Sequence, residues 1–169
     1  MRAAYIDSTG PADVIKVGVV PDPKPGPGQV LVKIGAAAIN PIDLYIRAGI
    51  VMPPTNFPYV IGTDAAGTIV ELGPGASRFK VGDRVWCSNQ GLLGRQGAAS
   101  ELAAIAEDYL YPTPDGVSDE AAAATALVGI TAHLGLFQFG RLKAGEVLYV
   151  SGGSGGVGSI VIQMAKAAG

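Results

Sequence analysis

The chain has 169 residues, of which 49% are hydrophobic and 15% charged, with a formal net charge of −2. That is room for one domain and part of another, since domains typically run ~100–200 residues, and the balance is that of a folded protein with neither a nucleic-acid nor a membrane partner expected. A single cysteine, Cys87, excludes an internal disulfide and an all-cysteine zinc cluster and fits a reducing compartment.

The opening stretch MRAAYIDSTGPADV carries no long apolar segment, and no run is expected to reach the ~18 apolar residues of a membrane span, so the cytoplasm is the expected location. From residue 2 to about 106 the chain alternates β-branched runs with turn clusters: AAYI, DVIKVGVV, QVLVKIGAAAI, TDAAGTIVELG, DRVWCS and SELAAIA. The spacing predicts a strongly bent sheet or a barrel. Between the second and third runs, PDPKPGPGQ holds four prolines and two glycines, which deny the backbone both ladder donors and helical angles, so an exposed extended loop is expected. NPIDLYIRAGI predicts a helix with Asn40 as N-cap, Pro41 at the first helical position, and Ile42, Tyr45 and Ile46 on one face; Gly49 ends it.

At Ser118 the texture changes. SDEAAAATALVGITAHLGLFQFG starts with a cap and two acids suited to a helix N-terminus, then turns alanine-rich, predicting a long, mostly buried helix. RLKAGE reads as a polar turn, EVLYV as a buried strand, and VGSIVIQMAKAA as a second helix. The boundary is placed near residue 112, where YPTPDG makes a linker. Two domains follow, residues 1–112 and 113–169.

Between the EVLYV strand and the last helix, residues 152–158 read GGSGGVG, five glycines in seven positions. A strand-to-helix turn of this composition lets backbone approach a pyrophosphate, while the helix N-terminus offers free N–H groups and a positive dipole end. A merely tight turn is the simpler reading, but that many glycines cost more chain entropy than a tight turn requires. Ser154, Gly155, Gly156 and Val157 are the expected pyrophosphate contacts. A nucleotide-binding unit also needs a second strand, with a ribose-reading residue ~20 positions past the glycines. Gly169 comes first, so the sequence is expected to be the N-terminal part of something longer, inactive by itself, and NAD and NADP cannot be told apart.

Six segments taken together, PDPKPGPGQVLVKI, INPIDLYIRAG, PYVIGTDAAGTIVELGPG, FKVGDRV, GITAHLGL and VSGGSGGVG, resemble the medium-chain dehydrogenase/reductase superfamily and, within it, the zinc-independent quinone oxidoreductases. The resemblance implies a mainly β fold with an α/β part: a GroES-like β-barrel domain followed by the first strand and helix of a truncated Rossmann domain. It implies NADPH as cofactor, with NADH left open, a quinone or enone as small-molecule substrate, and a homodimer in the full-length protein. An enoyl or alkenal reductase of the same superfamily, or a noncatalytic assembly module, are the alternatives. Zinc-dependent relatives carry a cysteine and then a His-Glu pair around a catalytic ion; here Asn40 and Thr63-Asp64 stand in those places. Asparagine and threonine are poor ligands for an ion that favours thiolate and imidazole, so no zinc is expected. His133 and Cys87 are the remaining soft donors, and a lone histidine in an alanine-rich helix reads as a packed side chain.

The resemblance also places Tyr45 beside the nicotinamide, Thr63 in the cleft, and Thr131 near the nicotinamide, with Asn40 as a further catalytic candidate. Each has a plainer reading: Asn40 caps a helix, Tyr45 packs in the core, and Thr131 bonds its own backbone. Asp43 serves the capping box or the chemistry, and Arg47 is a solvated side chain or an attractor of phosphate. Ser151 and Ser154 have no histidine near them in sequence, and the turn is not G-x-S-x-G, so hydrolase chemistry is not expected.

Overall fold

β-Branched runs become strands where a neighbour can satisfy their backbone groups, and this chain forms eight of them. The structure, a computed structural model, describes residues 1–169 and divides into two compact units, Met1–Ala124 and Thr125–Gly169. In the first unit, β1 (Arg2–Ile6) lies between β2 (Lys16–Val19) and β4 (Tyr59–Val60) in a three-stranded antiparallel sheet. The five-stranded sheet has the order β7-β3-β5-β6-β8, with β3 (Gln29–Ala38), β5 (Asp64–Leu72), β6 (Arg84–Cys87), β7 (Leu102–Ala106) and β8 (Leu110–Pro112).

The ten-residue β3 is the spine of that sheet. It pairs with β5 from Val30 opposite Leu72 to Ala38 opposite Asp64, with register shifts at Leu31/Val32 and Ile34/Ala36. Such irregularities bend a strand and raise its local twist, which gives the curvature expected from the run spacing. Val30, Val32, Ile69, Val85, Ile105 and Leu110 form the main core, each at most 2% exposed.

Two differences from the expected strands have local causes. DVIKVGVV is strand only from Lys16, because Ala12–Val14 forms a 3-10 turn behind Pro11. β4 and β8 were not expected: one has two residues and the other three, ending in proline, too short for an alternating pattern.

The predicted short helix forms as α1 (Pro41–Arg47), with Pro41 in its first turn and Asn40 extended at the cap position (φ −114°, ψ 162°). Gly49 stops it in the left-handed region at φ +77°, where a glycine is favoured. Ile46 is fully buried against Ile6 and Tyr59, with Ile42 beside them. Tyr45 is 49% exposed, not on the buried face as expected. On a helix, residues four apart share a face, and the immediate neighbour of a buried residue turns away from it.

The long helix also forms, as α2 (Asp119–His133), capped by the Ser118 hydroxyl, which accepts from the Ala121 amide at 3.2 Å. It continues as a π-helical turn, Leu134–Phe139, which Gly140 closes with a bond to the Gly135 carbonyl. The expectation that this helix is mostly buried is corrected: only Ala122, Ala123, Ala126, Ala132 and Leu136 are. Small alanines need little cover, so an alanine-rich helix makes its contacts along a narrow stripe. Contrary to the sequence reading, Asp119–Phe139 is long and apolar enough to cross a membrane by length and composition, with a mean hydropathy of 1.4. Ala122 and Ala123 nevertheless pack on Ala66 in the first unit's core.

In the second unit, α3 (Gly156–Ala167) forms as predicted, but EVLYV does not form a buried strand. Residues 146–150 pair with nothing in a ladder, and Val147 and Tyr149 are 101% and 89% exposed. A continuous apolar run is buried as a strand only when flanking strands and covering helices supply the ladder and both faces, and no segment of this chain supplies them here.

Candidate functional site

The start of α1 is held by a buried polar cluster drawn from three places in the chain. The Asn40 backbone N–H donates to Asp43 Oδ2 at 2.7 Å, the return contact of a capping box. The Asn40 side-chain Nδ2 donates to Thr63 Oγ1 at 3.1 Å and to Asp64 Oδ2 at 2.9 Å. Thr63 in turn donates to Asp43 Oδ2 at 3.2 Å. Ser88, just past β6, donates to Asp64 Oδ1 at 2.6 Å, and the Gln90 backbone N–H donates to the Thr63 carbonyl at 3.0 Å. All six of these residues are buried.

So Asn40 occupies the cap and also ties two loops together, and Thr63 lies inside, 1% exposed, with its hydroxyl bonded to both Asn40 and Asp43. Tyr45, one turn along the same helix, is the half-exposed aromatic of this region. Asp43 Oδ1 is buried with no hydrogen-bond partner. Burial pushes the Asp43 carboxyl above its ordinary range, the Asp64 charge adds to that, and the Asn40 amide, the Thr63 hydroxyl and the Gly62 amide only partly oppose it. Sequence reasoning missed Asp64 and Ser88 as working parts. The signal for Asp64 was its place directly after Thr63; for Ser88 there was none, since contacts across 24 residues leave no mark in a single sequence.

The second unit holds the remaining candidates. At the glycine turn, the Gly155 amide donates to the Gly152 carbonyl at 3.0 Å, and Gly155 is extended (φ −76°, ψ 168°) where it enters α3. A side chain at Gly158 would collide with the Gly152 carbonyl oxygen, so only glycine lets helix and turn close on each other. Ser154, Gly155, Gly156 and Val157 thus stand exposed where the first-turn N–H groups of α3 have no acceptor inside the helix. Thr131, on α2, donates its hydroxyl to the Leu127 carbonyl at 2.8 Å, the self-bonding expected of a mid-helix threonine. His133 packs its ring on Phe137, with centroids 5.2 Å apart.

Residues 26–115 match the alcohol dehydrogenase GroES-like domain. The chain belongs to that family. The GroES-like match covers β3 to β8, and with them the whole polar cluster. Similarity extends over the full chain to the quinone oxidoreductase of Mus musculus, 38% identical over 170 residues, 100% of this chain and 50% of the relative. The quinone oxidoreductase of Pseudomonas aeruginosa is 40% identical over 146 residues, 86% of this chain and 43% of that protein. Among solved structures, the Escherichia coli quinone oxidoreductase complexed with NADPH superposes with a TM-score of 0.89 at 33% identity, covering 100% of this chain and 50% of that one. The chain therefore spans about half the length of the curated relatives it matches. Its mainly β architecture is that of the medium-chain dehydrogenase/reductases.

The soft donors of this GroES-like chain stand apart from the cluster's chemistry. Cys87 is buried, its thiol pushed up to about 12 by burial first and the Asp64 charge last, so it is an inert core group. No three or more His, Cys, Asp or Glu side chains converge in a group able to hold a metal ion.

Proposed function

We propose that this chain belongs to an NAD(P)H-dependent oxidoreductase that passes hydride from NADPH to a quinone or a similar conjugated carbonyl, without zinc. The observation that carries the proposal is the make-up of the α1 cluster. Where zinc-dependent relatives have thiolate and imidazole, it has an amide that donates, a hydroxyl and carboxyls, bonded to one another. That donor set does not fit a zinc centre, whose preferred ligands are sulfur and imidazole nitrogen. Without a Lewis acid, the fitting acceptor is one whose developing negative charge is spread by conjugation. The similarity to quinone oxidoreductases, one of them complexed with NADPH, supports the same reading.

The glycine turn fits a dinucleotide: it is side-chain-free, closely folded, and placed at the N-terminus of a helix. In this reading Ser154, Gly156 and Val157 hold the pyrophosphate through main-chain N–H groups, while Gly155, whose N–H donates to the Gly152 carbonyl, shapes the turn beneath it. When bound, the nicotinamide supplies the hydride. Tyr45 and Thr131 contact it, Tyr45 through an exposed side chain that also donates to the substrate oxygen. Asn40 and Thr63 work from below the surface, fixing α1. Residues 1–112 form the catalytic domain and 113–169 the start of the nucleotide-binding domain, in a cytoplasmic homodimer.

The test is nucleotide titration of the whole protein by fluorescence, followed by NADPH oxidation with a benzoquinone and with an alkenal. We expect NADPH binding, quinone reduction, and no effect of a chelator. Absence of binding to either nucleotide would end the reductase reading. Reduction of the alkenal alone moves the assignment to the alkenal reductases, and loss of activity with the chelator overturns the metal-free mechanism. Tyr45→Phe is expected to lower kcat about 100–1,000-fold, the scale for losing one donor to a developing oxyanion, with the fold intact by circular dichroism.

A further inference from the structure

The cluster at α1 contains two buried carboxyl groups that share donors. Asp43, 5% exposed, accepts through Oδ2 from the Asn40 N–H and the Thr63 hydroxyl, while its Oδ1 is buried with no partner. Asp64, 1% exposed, accepts from the Asn40 side-chain amide and from Ser88. One asparagine thus holds both acids, by its backbone to one and by its side chain to the other.

The backbone N–H groups of Asn40 and Gly62 favour a charge on Asp43 without overcoming its burial, and the titratable groups facing it offer that charge no compensation. From β5 comes Asp64, a like charge. From β4 comes Tyr59, whose own hydroxyl is pushed up by burial and by Asp43. On its own helix, Arg47 forms no ion pair with it and leaves its Nε buried and unpartnered. An ionised oxygen orphaned in such a place costs far more than a neutral one, and two carboxylates bridged by one residue resist being ionised together.

We propose that Asp43 is a positioning residue that works in its neutral form: with its proton on Oδ1, it holds the Asn40 N–H and the Thr63 hydroxyl through Oδ2 and so fixes the first turn of α1 ahead of Tyr45. Ionisation of Asp43 sets a second negative charge beside Asp64 and loosens that turn. The link to catalysis rests on the reductase reading above; the protonation does not.

The direction of the Asp43 shift, upward and chiefly from burial, gives the sign. A carboxyl raised on folding contributes stability that is complete below its unfolded value and is lost as pH rises through its folded value. Two measurements on this chain test it without any assay of activity. Carbon-13 NMR of the Asp43 carboxyl is expected to show a titration midpoint above the ordinary 3.8; a midpoint at or below that value overturns the proposal. Thermal melts of the chain and of Asp43→Asn, from about pH 4 to pH 8 around the ordinary carboxylate range, are expected to agree at the acid end. Towards the alkaline end the amide variant becomes the more stable of the two. A gap that does not change with pH, or that opens the other way, also overturns it.

The third measurement is kcat against pH for NADPH oxidation with a benzoquinone by the whole protein. The native enzyme is expected to lose rate across the NMR midpoint and Asp43→Asn to lack that limb, with KM for NADPH moving alike in both. Matching profiles in the two proteins overturn the positioning role. A whole protein that oxidises no NADPH sinks the reductase reading and the positioning role with it, while the NMR midpoint still decides the protonation.

Discussion

The two units use apolar residues in opposite ways. In Met1–Ala124, the β-branched residues of β3, β5, β6 and β7 face one another across a core that is almost fully closed to solvent. In Thr125–Gly169, only Ala126, Ala132 and Leu136 are buried, whereas Phe139, Val147 and Tyr149 are 75%, 101% and 89% exposed. Both stretches read as apolar in sequence. The difference is pairing: each strand of the first unit has a neighbour that takes its backbone hydrogen bonds, and residues 146–150 have none. Hydrophobicity says what will be buried once a partner exists, and topology decides whether it does.

The largest effect is therefore expected from cutting into the first unit's core. Ile69, fully buried opposite Val32 on β3, becomes a cavity in Ile69→Ala. A loss of about 2–5 kcal/mol is expected, the usual range for truncating a buried isoleucine, read from the midpoint of urea unfolding. A loss near zero would show that the first unit is no better packed than the second.

The next effect concerns how the first unit handles buried charge, and Glu107 is the counterpart to Asp43. It is 7% exposed, and burial favours its neutral form. Three backbone amides outweigh that: Arg78 donates to its carboxylate at 2.8 Å, Ser77 at 3.0 Å and Phe79 at 3.2 Å, and the Arg78 charge adds to them. Its pKa consequently falls below the ordinary 4.5, where that of Asp43 rises. A depressed carboxyl contributes stability above its unfolded value that is lost as pH falls through its folded value. Glu107→Gln is expected to melt at lower temperature than the native chain at neutral pH, with the gap closing on acidification. A constant gap would show that the amides see only shape, not charge.

How far the sequence foretold this is clearest at individual residues. β-Branched runs between turn clusters located six strands, and the cap-proline-glycine punctuation located α1. Tyr59–Val60 and Leu110–Pro112 escaped because strands of two and three residues owe their existence to a waiting sheet edge and not to their own pattern. Thr63 was singled out from its position relative to the zinc-binding relatives, but its burial was not legible, nor was its bond to Asp43. Those depend on where β5 begins beneath α1, a consequence of the β3–β5 register. The glycine turn was legible because its constraint is local: Gly158 must pass the Gly152 carbonyl. The strand before it was misread because its burial depends on partners that a run of five residues does not encode.

The smallest expected effect tests that last point. Val147→Ser places a hydroxyl where the native valine is wholly exposed, so no apolar area is returned to water and no ladder is broken. A change within about 0.5 kcal/mol is expected, the ordinary range for surface substitutions, against the much larger loss at Ile69. Measured again in the whole protein, the same substitution discriminates between two origins of the apolar run. If flanking strands bury Val147 there, as a nucleotide-binding sheet would, the cost rises to about 1–3 kcal/mol, because a hydroxyl is then buried in place of the two valine methyl groups. If the cost stays near zero in both, the run is simply exposed, and the reading of residues 146–150 as the first strand of a nucleotide-binding sheet fails even though the glycine turn beside it is well formed.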